Sequence, residues 1–424
     1  MPKYVIIGAC AAGIGAVEAI REVDPEGEIA VISEEQCSHY SRPMISDFVS
    51  GKADLERMKT RDDEFWKKNA VDALTGKRAV SLDTAKKIVS LADGEKVNYE
   101  KILIATGGRP FVPKMEGSDK EGVYTFTNIA DAQNLAEKIA SGAKDAVVIG
   151  AGLIGISVTD ALLKKGVNVT LVELQDKILS LLLDAKASEI VEGVIRKSGV
   201  NIVTGQSVQK INGKTENQKE VGSVTLTNGD QVPCDLVIVA IGVIPRIELA
   251  SGTPIKTNRG IVVDSHMQTS VPDVYASGDV AEAYDFILEQ NRSLPLWPLA
   301  VVEGKVAGYN MAGKPTDYTG GTNMSSLKYF GIPIVSIGLA NPKETTDLEI
   351  LVNQDAEKGF YKKLVLKENV IVGMTFLGDI ERAGILFYLM KNKVNVKAFK
   401  DKLLLEEFSL AALPESLRKK MLEI

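Results

Sequence analysis

The sequence predicts an α/β chain with two parallel-sheet units of one design and a C-terminal α+β region. Three observations carry this. The order apolar strand, glycine turn, helix occurs at "YVIIGACAAGIGA" (residues 4–16) and again at "DAVVIGAGLIGISVTDALLKKGVNVTLVEL" (residues 145–174). The two lie roughly 140 residues apart, the spacing of a repeated fold and not of a short solenoid period. Each helix leads to a second apolar strand, as a parallel sheet covered by helices requires. From residue 322 the texture changes to a run of antiparallel-type strands.

Element by element, residues 3–7 read as a buried strand, 14–23 as a helix and "EIAVIS" (28–33) as the next strand. The polar stretch "SEEQCSHYSRPMISD" (33–47) follows, and a long irregular segment rich in reactive groups marks a functional loop. In the second unit a hairpin is expected around "TNGDQ", then a strand in "CDLVIVAIG" (234–242). "DVYASGD" (273–279) reads as a strand ending in a glycine turn. The C-terminal strands are "MSSLKYFGIPIVSIG", "LEILV", "YKKLVL" and "NVIVGMTFLG", and helices follow in "ERAGILFYLMKN" and "SLRKKMLE".

Composition narrows the function classes. With 424 residues, 45% of them apolar, the chain builds more than one domain. A net charge of −6 argues against a nucleic-acid partner. The three cysteines, Cys10, Cys37 and Cys234, form no C-x-x-C pair, and His39 and His266 stand far apart, so no protein-held metal or iron–sulfur site is expected. No apolar run approaches the roughly 20 residues of a membrane span. The first apolar run leads into glycines and is not read as a signal peptide. The expectation is a soluble, cytoplasmic protein.

The second glycine turn is the complete one. Gly150 permits the tight turn, Gly152 lets a pyrophosphate approach, and Gly155 lets the helix pack on the strand. Leu153 and Ile154 open the helix, whose free N–H groups and partial positive charge favour phosphate. Glu173 ends the next strand about 20 residues on, where a carboxylate accepts from ribose hydroxyls. Leu174, Gln175 and Asp176 follow, with no cation for a 2′-phosphate, so NADH is expected over NADPH. The first turn has Gly8, Ala12 and Gly13, with Cys10 at the close-approach position. Its acid is Glu34 or Glu35, within a register uncertain by one residue. Two such sites in one chain imply two dinucleotides, FAD and NADH. Hydride then passes directly to the flavin, given rings held roughly 3–3.5 Å apart, so no acid–base side chain is required and no catalytic residue is assigned.

The sequence resembles the two-dinucleotide-binding flavoprotein reductases related to glutathione reductase, in particular the branch of NADH:rubredoxin reductases, ferredoxin reductases and nitrite reductase flavin regions. The resemblance covers nearly the whole chain. "LIATGGRPFVP" (103–113) matches the stretch that crosses back over FAD and implies contacts from Ala105, Thr106 and Gly107. "VIVAIGVIPRIELA" (237–250) matches the segment that implies Ala240, Ile241 and Gly242 at the NADH site. "VYASGDVAE" (274–282) matches the second FAD motif, with Gly278 and Asp279. "LWPLAVVEGKVAGYNMAG" (296–313) matches the helix under the flavin, where Trp297 is read either as a flavin neighbour or as core. "YSRPMISDFVSG" (40–51) matches the segment beside the isoalloxazine; it offers Arg42 and Pro43 but no redox cysteine, and Asp47 stands where some relatives carry lysine. Arg42 is read either as a ligand of FAD or as a surface residue. Ser157 replaces an acid that often borders the nicotinamide.

The resemblance implies an FAD domain from two segments (1–112 and 246–321), an inserted NADH domain (113–245) and a C-terminal α+β interface domain (322–424). It implies electron transfer between NADH and a separate one-electron acceptor: a rubredoxin- or ferredoxin-type iron–sulfur protein, or an iron–sulfur subunit of a larger redox complex. A homodimer is also open. Two alternatives stand beside this: an NADH oxidase or sulfur/disulfide reductase, and a flavin–NADH redox sensor or scaffold. Cys37, His39 and Cys234 are expected to be a spectator, a solvated loop residue and a core residue. Cys10 is expected to be a structural thiol.

Overall fold

A computed structural model describes residues 2–36 and 39–422; Cys37 lies outside the described residues. The chain divides into two compact units. The first comprises Met1–Pro113, Thr125–Ala140 and Gly242–Gly321; the second comprises Lys114–Tyr124, Ser141–Ile241 and Thr322–Ile424.

The first unit is built on a five-stranded parallel sheet in the order Val274–Ala276, Lys101–Ile104, Tyr4–Ile7, Ile29–Ser33, Val71–Thr75. Tyr4, Val5 and Ile6 are wholly buried, as a strand covered on both faces requires. The helix begins at Ala11, earlier than the expected residue 14, and runs to Val23. Helix Trp297–Met311 crosses it with almost no side chain between them. A Cβ on Gly304 would stand 2.0 Å from the Ala12 carbonyl oxygen, and one on Gly308 would stand 2.5 Å from that of Ala16. A small meander, Ala79–Asp83, Ile88–Leu91 and Lys96–Asn98, was not anticipated.

One segment departs from the expected boundaries. Thr125–Ala140, inside the span 113–245, clusters with the first unit. The cause is polar. Ile129 N–H donates to the Tyr40 hydroxyl at 2.9 Å, and Arg42 donates to the Thr127 carbonyl at 3.0 Å. Asp131 then accepts the Thr127 N–H at 2.7 Å and stiffens the entry to helix Ile129–Ala140.

The second unit repeats the design, with parallel strands in the order Asn201–Thr204, Asn168–Glu173, Asp145–Ile149, Leu236–Val239, Val123–Tyr124. The expected hairpin is present as Val221–Leu226 paired with Gln231–Pro233. Cys234 is buried just before its strand. The same unit holds the C-terminal antiparallel sheet, ordered Met324–Tyr329, Ile332–Gly338, Val370–Leu377, Phe360–Lys367, Glu349–Asp355, with helix Ala383–Lys391 against it.

The helix crossing in the first unit is testable. Gly304→Ala forces a methyl against backbone that cannot yield and should cost about 1–3 kcal/mol. A lowered melting temperature of the variant checks this.

Candidate functional site

In the second unit Gly150 is left-handed, at φ +102°, and a Cβ there would lie 2.7 Å from the Ala240 carbonyl oxygen. A Cβ on Gly155 would lie 1.8 Å from the Gly150 carbonyl oxygen. Both glycines are demanded by the protein itself. Gly152 is different, because a Cβ there would meet nothing within 4 Å. The room it leaves faces the start of helix Leu153–Lys164, which carries no side-chain cap. Helix Ala185–Lys197, by contrast, is capped by Asp184. Uncapped N–H groups beside open space fit a pyrophosphate.

Glu173 borders the same turn. One carboxylate oxygen accepts the Ala151 N–H at 2.7 Å and the other accepts the Gln175 N–H at 2.8 Å. Leu174 beside it is 64% exposed and brings no cation. Ala240 and Ile241 lie against Gly150, while Leu153 and Ile154 are half-buried in the first helical turn. Gly242, at φ +118°, clusters with the first unit and not with the others of its expected set. Ser157 is buried within the helix.

The first unit shows the same backbone with different side chains. Gly8 N–H donates to the Ile32 carbonyl at 2.8 Å, just as Gly150 N–H donates to that of Val172. This register makes Ser33 the counterpart of Glu173 and puts Glu34 one residue past the strand. A Cβ on Gly8 would lie 2.1 Å from the Ala105 carbonyl oxygen, and one on Gly13 would lie 1.9 Å from that of Gly8. Helix Ala11–Val23 again starts without a side-chain cap, at Cys10.

Arg42 gathers this site. Its Nε donates to Cys10 Sγ at 3.3 Å, it pairs with Glu35, and Tyr40 donates its hydroxyl to Glu35 at 2.7 Å. Arg42 is therefore no plain surface residue. Burial pushes the Cys10 thiol up from its ordinary pKa, against the opposing pull of the Arg42 charge. The helix N-terminus does not leave an activated thiol. Burial likewise raises the Asp279 carboxyl, and Arg42 again opposes it. Asp279 sits in the turn Gly278–Val280, and a Cβ on Gly278 would touch those of Ala12 and Ala300 at 3.4 Å. Gly8, Cys10, Ala12, Gly13, Glu35, Arg42, Ala105, Gly278 and Asp279 thus form one neighbourhood.

Glu34, Thr106 and Gly107 form a second group, organised by Arg246. Arg246 Nη1 meets Glu34 at 2.7 Å, its N–H donates to the Gly107 carbonyl at 2.9 Å, and Thr106 Oγ1 donates to its carbonyl at 2.9 Å. Pro43 is exposed in the turn Arg42–Met44. Trp297 opens its helix half-buried against the core.

Three contributions were not legible beforehand. Glu303, on helix Trp297–Met311, is 3% exposed and accepts the Gly278 N–H at 2.8 Å. An acid one place before the crossing glycine, in a helix with no other acid, was its only signal. Tyr40, which opens the segment 40–51, and the Thr127 carbonyl, outside any motif, hold Arg42's neighbourhood. His39 corrects the expectation of a solvated side chain: it is 12% exposed and stands edge-on to Trp66 at 6.4 Å. Among the described residues no group of three His, Cys, Asp or Glu is placed to hold a metal ion.

Comparison with known proteins agrees with this geometry. A family described as "Pyridine nucleotide-disulphide oxidoreductase" matches residues 2–304, and one described as "Rubredoxin NAD+ reductase C-terminal domain" matches residues 324–394. The chain is 32% identical over 397 residues to the NADH-dependent phenylglyoxylate dehydrogenase subunit epsilon of Aromatoleum evansii, covering 93% of this chain and 92% of the relative. It is 29% identical to the rubredoxin-NAD(+) reductase of Pseudomonas putida, covering 82% and 91%. It spans about half the length of the Bacillus subtilis nitrite reductase [NAD(P)H], to which it is 29% identical over 93% of its own length. Among solved structures, the NAD-dependent persulfide reductase from A. fulgidus superposes with a TM-score of 0.86 at 28% identity, covering 93% of this chain and 78% of that one.

Glu303 generates a pH prediction. Burial is the main cause that pushes its carboxyl up to about 8; Asp279 adds to it, while the Gly278 N–H and the Tyr318 hydroxyl oppose it. An unfolded glutamate ionises near 4.5, so between there and about 8 the unfolded chain releases a proton that the folded chain keeps. Stability should fall as pH rises through that window and level off above it. Thermal unfolding across this range should show a smaller slope in Glu303→Gln.

Proposed function

We propose that this chain, which belongs to the pyridine nucleotide-disulphide oxidoreductase family, passes electrons from NADH through FAD to a separate one-electron acceptor of rubredoxin or ferredoxin type. It is an FAD-dependent NAD(P)H oxidoreductase, with FAD and NAD(H) as its cofactors. Bound FAD would supply the exchange between a two-electron and a one-electron carrier, a hydride in and two single electrons out, with the proton released to solvent. The chain's own residues bind and orient. The two uncapped helix starts would take the pyrophosphates, Glu173 would take the ribose hydroxyls of NADH, and Gly278 and Asp279, in the neighbourhood of Cys10 and Arg42, would hold FAD. Glu173 also repels a 2′-phosphate, and neither Leu174 nor Gln175 offers a cation to one.

The observation that carries the acceptor assignment is the state of the thiols. The segment 40–44 holds no cysteine, and Cys10, the one described thiol of the first unit, donates no activated sulfur. Among the described residues of the first unit, two-electron relay to a disulfide has no activated thiol, which supports electrons leaving to a partner. The match of residues 324–394 to a rubredoxin reductase C-terminal domain supports a partner of that type. The name of the phenylglyoxylate dehydrogenase relative supports a place as the flavin subunit of a larger enzyme. A cytoplasmic location belongs to the same reading; no helix among the described residues is long and apolar enough to cross a membrane. The persulfide reductase likeness favours a second reading, a sulfur or disulfide reductase.

Rapid mixing of the FAD-loaded protein with NADH should bleach the flavin faster than mixing with NADPH. Reoxidation should then be fastest with a rubredoxin or ferredoxin, and slower with oxygen or a persulfide. Equal or faster reoxidation by the persulfide would favour the second reading. Cys10→Gly should retain both FAD and turnover. Turnover lost with FAD retained would make Cys10 a redox thiol.

A further inference from the structure

Ala151 stands between the first two glycines of the second turn, and both of its backbone groups are held. Its N–H goes to Glu173, and its carbonyl accepts the Leu179 N–H at 2.9 Å. Leu179 is left-handed, at φ +49°, and belongs to the span 174–184 that joins Glu173 to helix Ala185–Lys197. Backbone N–H groups reach the carbonyls of Gln175, Leu179 and Asp184, and side chains reach four others. Ser188 Oγ donates to the Ile178 carbonyl at 2.8 Å. Asn341 Nδ2 donates to the carbonyls of both Ser180 and Leu183, each at 2.9 Å. Ser336 Oγ, fully enclosed, donates to that of Leu182 at 3.0 Å. Asp184 pairs with the buried Lys363, accepts the Tyr361 hydroxyl at 2.8 Å and caps the following helix.

Ser336, Tyr361 and Lys363 lie on strands Ile332–Gly338 and Phe360–Lys367 of the C-terminal sheet, and Asn341 lies just beyond the first of these. The span that meets the glycine turn is therefore set in place by that sheet. Packing alone does not require such contacts. A loop resting on a sheet through apolar side chains would keep Ile178, Leu179 and Leu183 buried without Asn341 or Ser336.

We propose that the C-terminal sheet is a working part of the NADH site, with Asn341 and Ser336 as positioning residues that hold residues 178–183 and, through Leu179, the Ala151 carbonyl of the glycine turn. Neither side chain touches the nucleotide; each acts through the loop. Removing one leaves the turn intact but lets its outer wall shift, which weakens NADH and leaves the FAD site of the first unit alone. This rests on the reading that the Gly150–Gly155 turn binds NADH.

The test uses the full-length, FAD-loaded protein and three variants: Asn341→Ala, Ser336→Ala and Glu173→Ala. The dissociation constant for NAD⁺ is measured by calorimetry, KM and kcat for NADH with ferricyanide as acceptor, and FAD content by absorbance. Asn341→Ala should weaken NAD⁺ binding about tenfold, the equivalent of about one to two lost hydrogen bonds. Its KM should rise more than its kcat falls, with FAD content unaltered. Ser336→Ala should show the same split to a smaller degree, and it decides the matter if Asn341→Ala does not fold. A lower melting temperature with unchanged NAD⁺ affinity in the folding variants would overturn the proposal and leave the contacts merely structural. Unchanged affinity in Glu173→Ala would instead overturn the site reading beneath it.

Discussion

Each unit depends on one close approach, that of a helix to the carbonyl oxygen of the glycine ending a strand. At 1.8–1.9 Å from a hypothetical Cβ, neither Gly13 nor Gly155 can be any other residue without moving the helix. That approach aims the first helical turn at the space beyond the strand. It also leaves the helix to start where no capping side chain fits. The unsatisfied N–H groups are a cost to the isolated fold and an asset to an anion. The sheets hold this arrangement in both units, helped by the crossing helix in the first and by Glu173 in the second.

The two turns show how the same backbone tolerates different chemistry at its central position. Gly152 opens on empty space, whereas Cys10 fills its place with a sulfur that Arg42 engages. The thiol therefore belongs to the lattice that fixes Arg42, Glu35 and Tyr40. Arg42 is a positive charge beside Glu35 and Asp279, and a phosphate arriving there would meet a guanidinium already oriented by Cys10, Glu35 and the Thr127 carbonyl. Orientation before binding removes part of the entropy that the ligand would otherwise lose.

What could be foreseen divides along physical lines. Gly150 and Gly155 were legible because local backbone geometry demands glycine at that spacing, and Gly152 and Glu173 because they stand at fixed offsets from that pair. So were the antiparallel C-terminal strands, from the run of short strand-like stretches after residue 322. Arg42 was ambiguous because its role depends on residue 42 reaching residue 10, and no local pattern encodes that approach. Glu303 was missed for the same reason: a lone acid on a helix means solvent or burial according to what packs over it. The helix Ile129–Ala140 has an apolar stripe, yet a stripe does not say which element it will meet. It packs against helix Ile45–Ser50, where Ile129 N–H donates to Tyr40 and Arg42 donates to the Thr127 carbonyl.

The placement of that helix has a consequence for how the molecule is made. Each unit is assembled from three separate stretches of chain. The strand Val274–Ala276 completes the first sheet, and helix Trp297–Met311 covers the groove of small residues along Ala11–Val23. Both emerge from the ribosome long after the turn they stabilise. Closing such distant contacts is entropically slow, and a groove of exposed backbone waits meanwhile for its cover. No single cut in the chain separates one nucleotide unit from the other, so neither can be obtained by simple truncation. The first unit can close only once residue 321 has been made, and the second only with the C-terminal sheet.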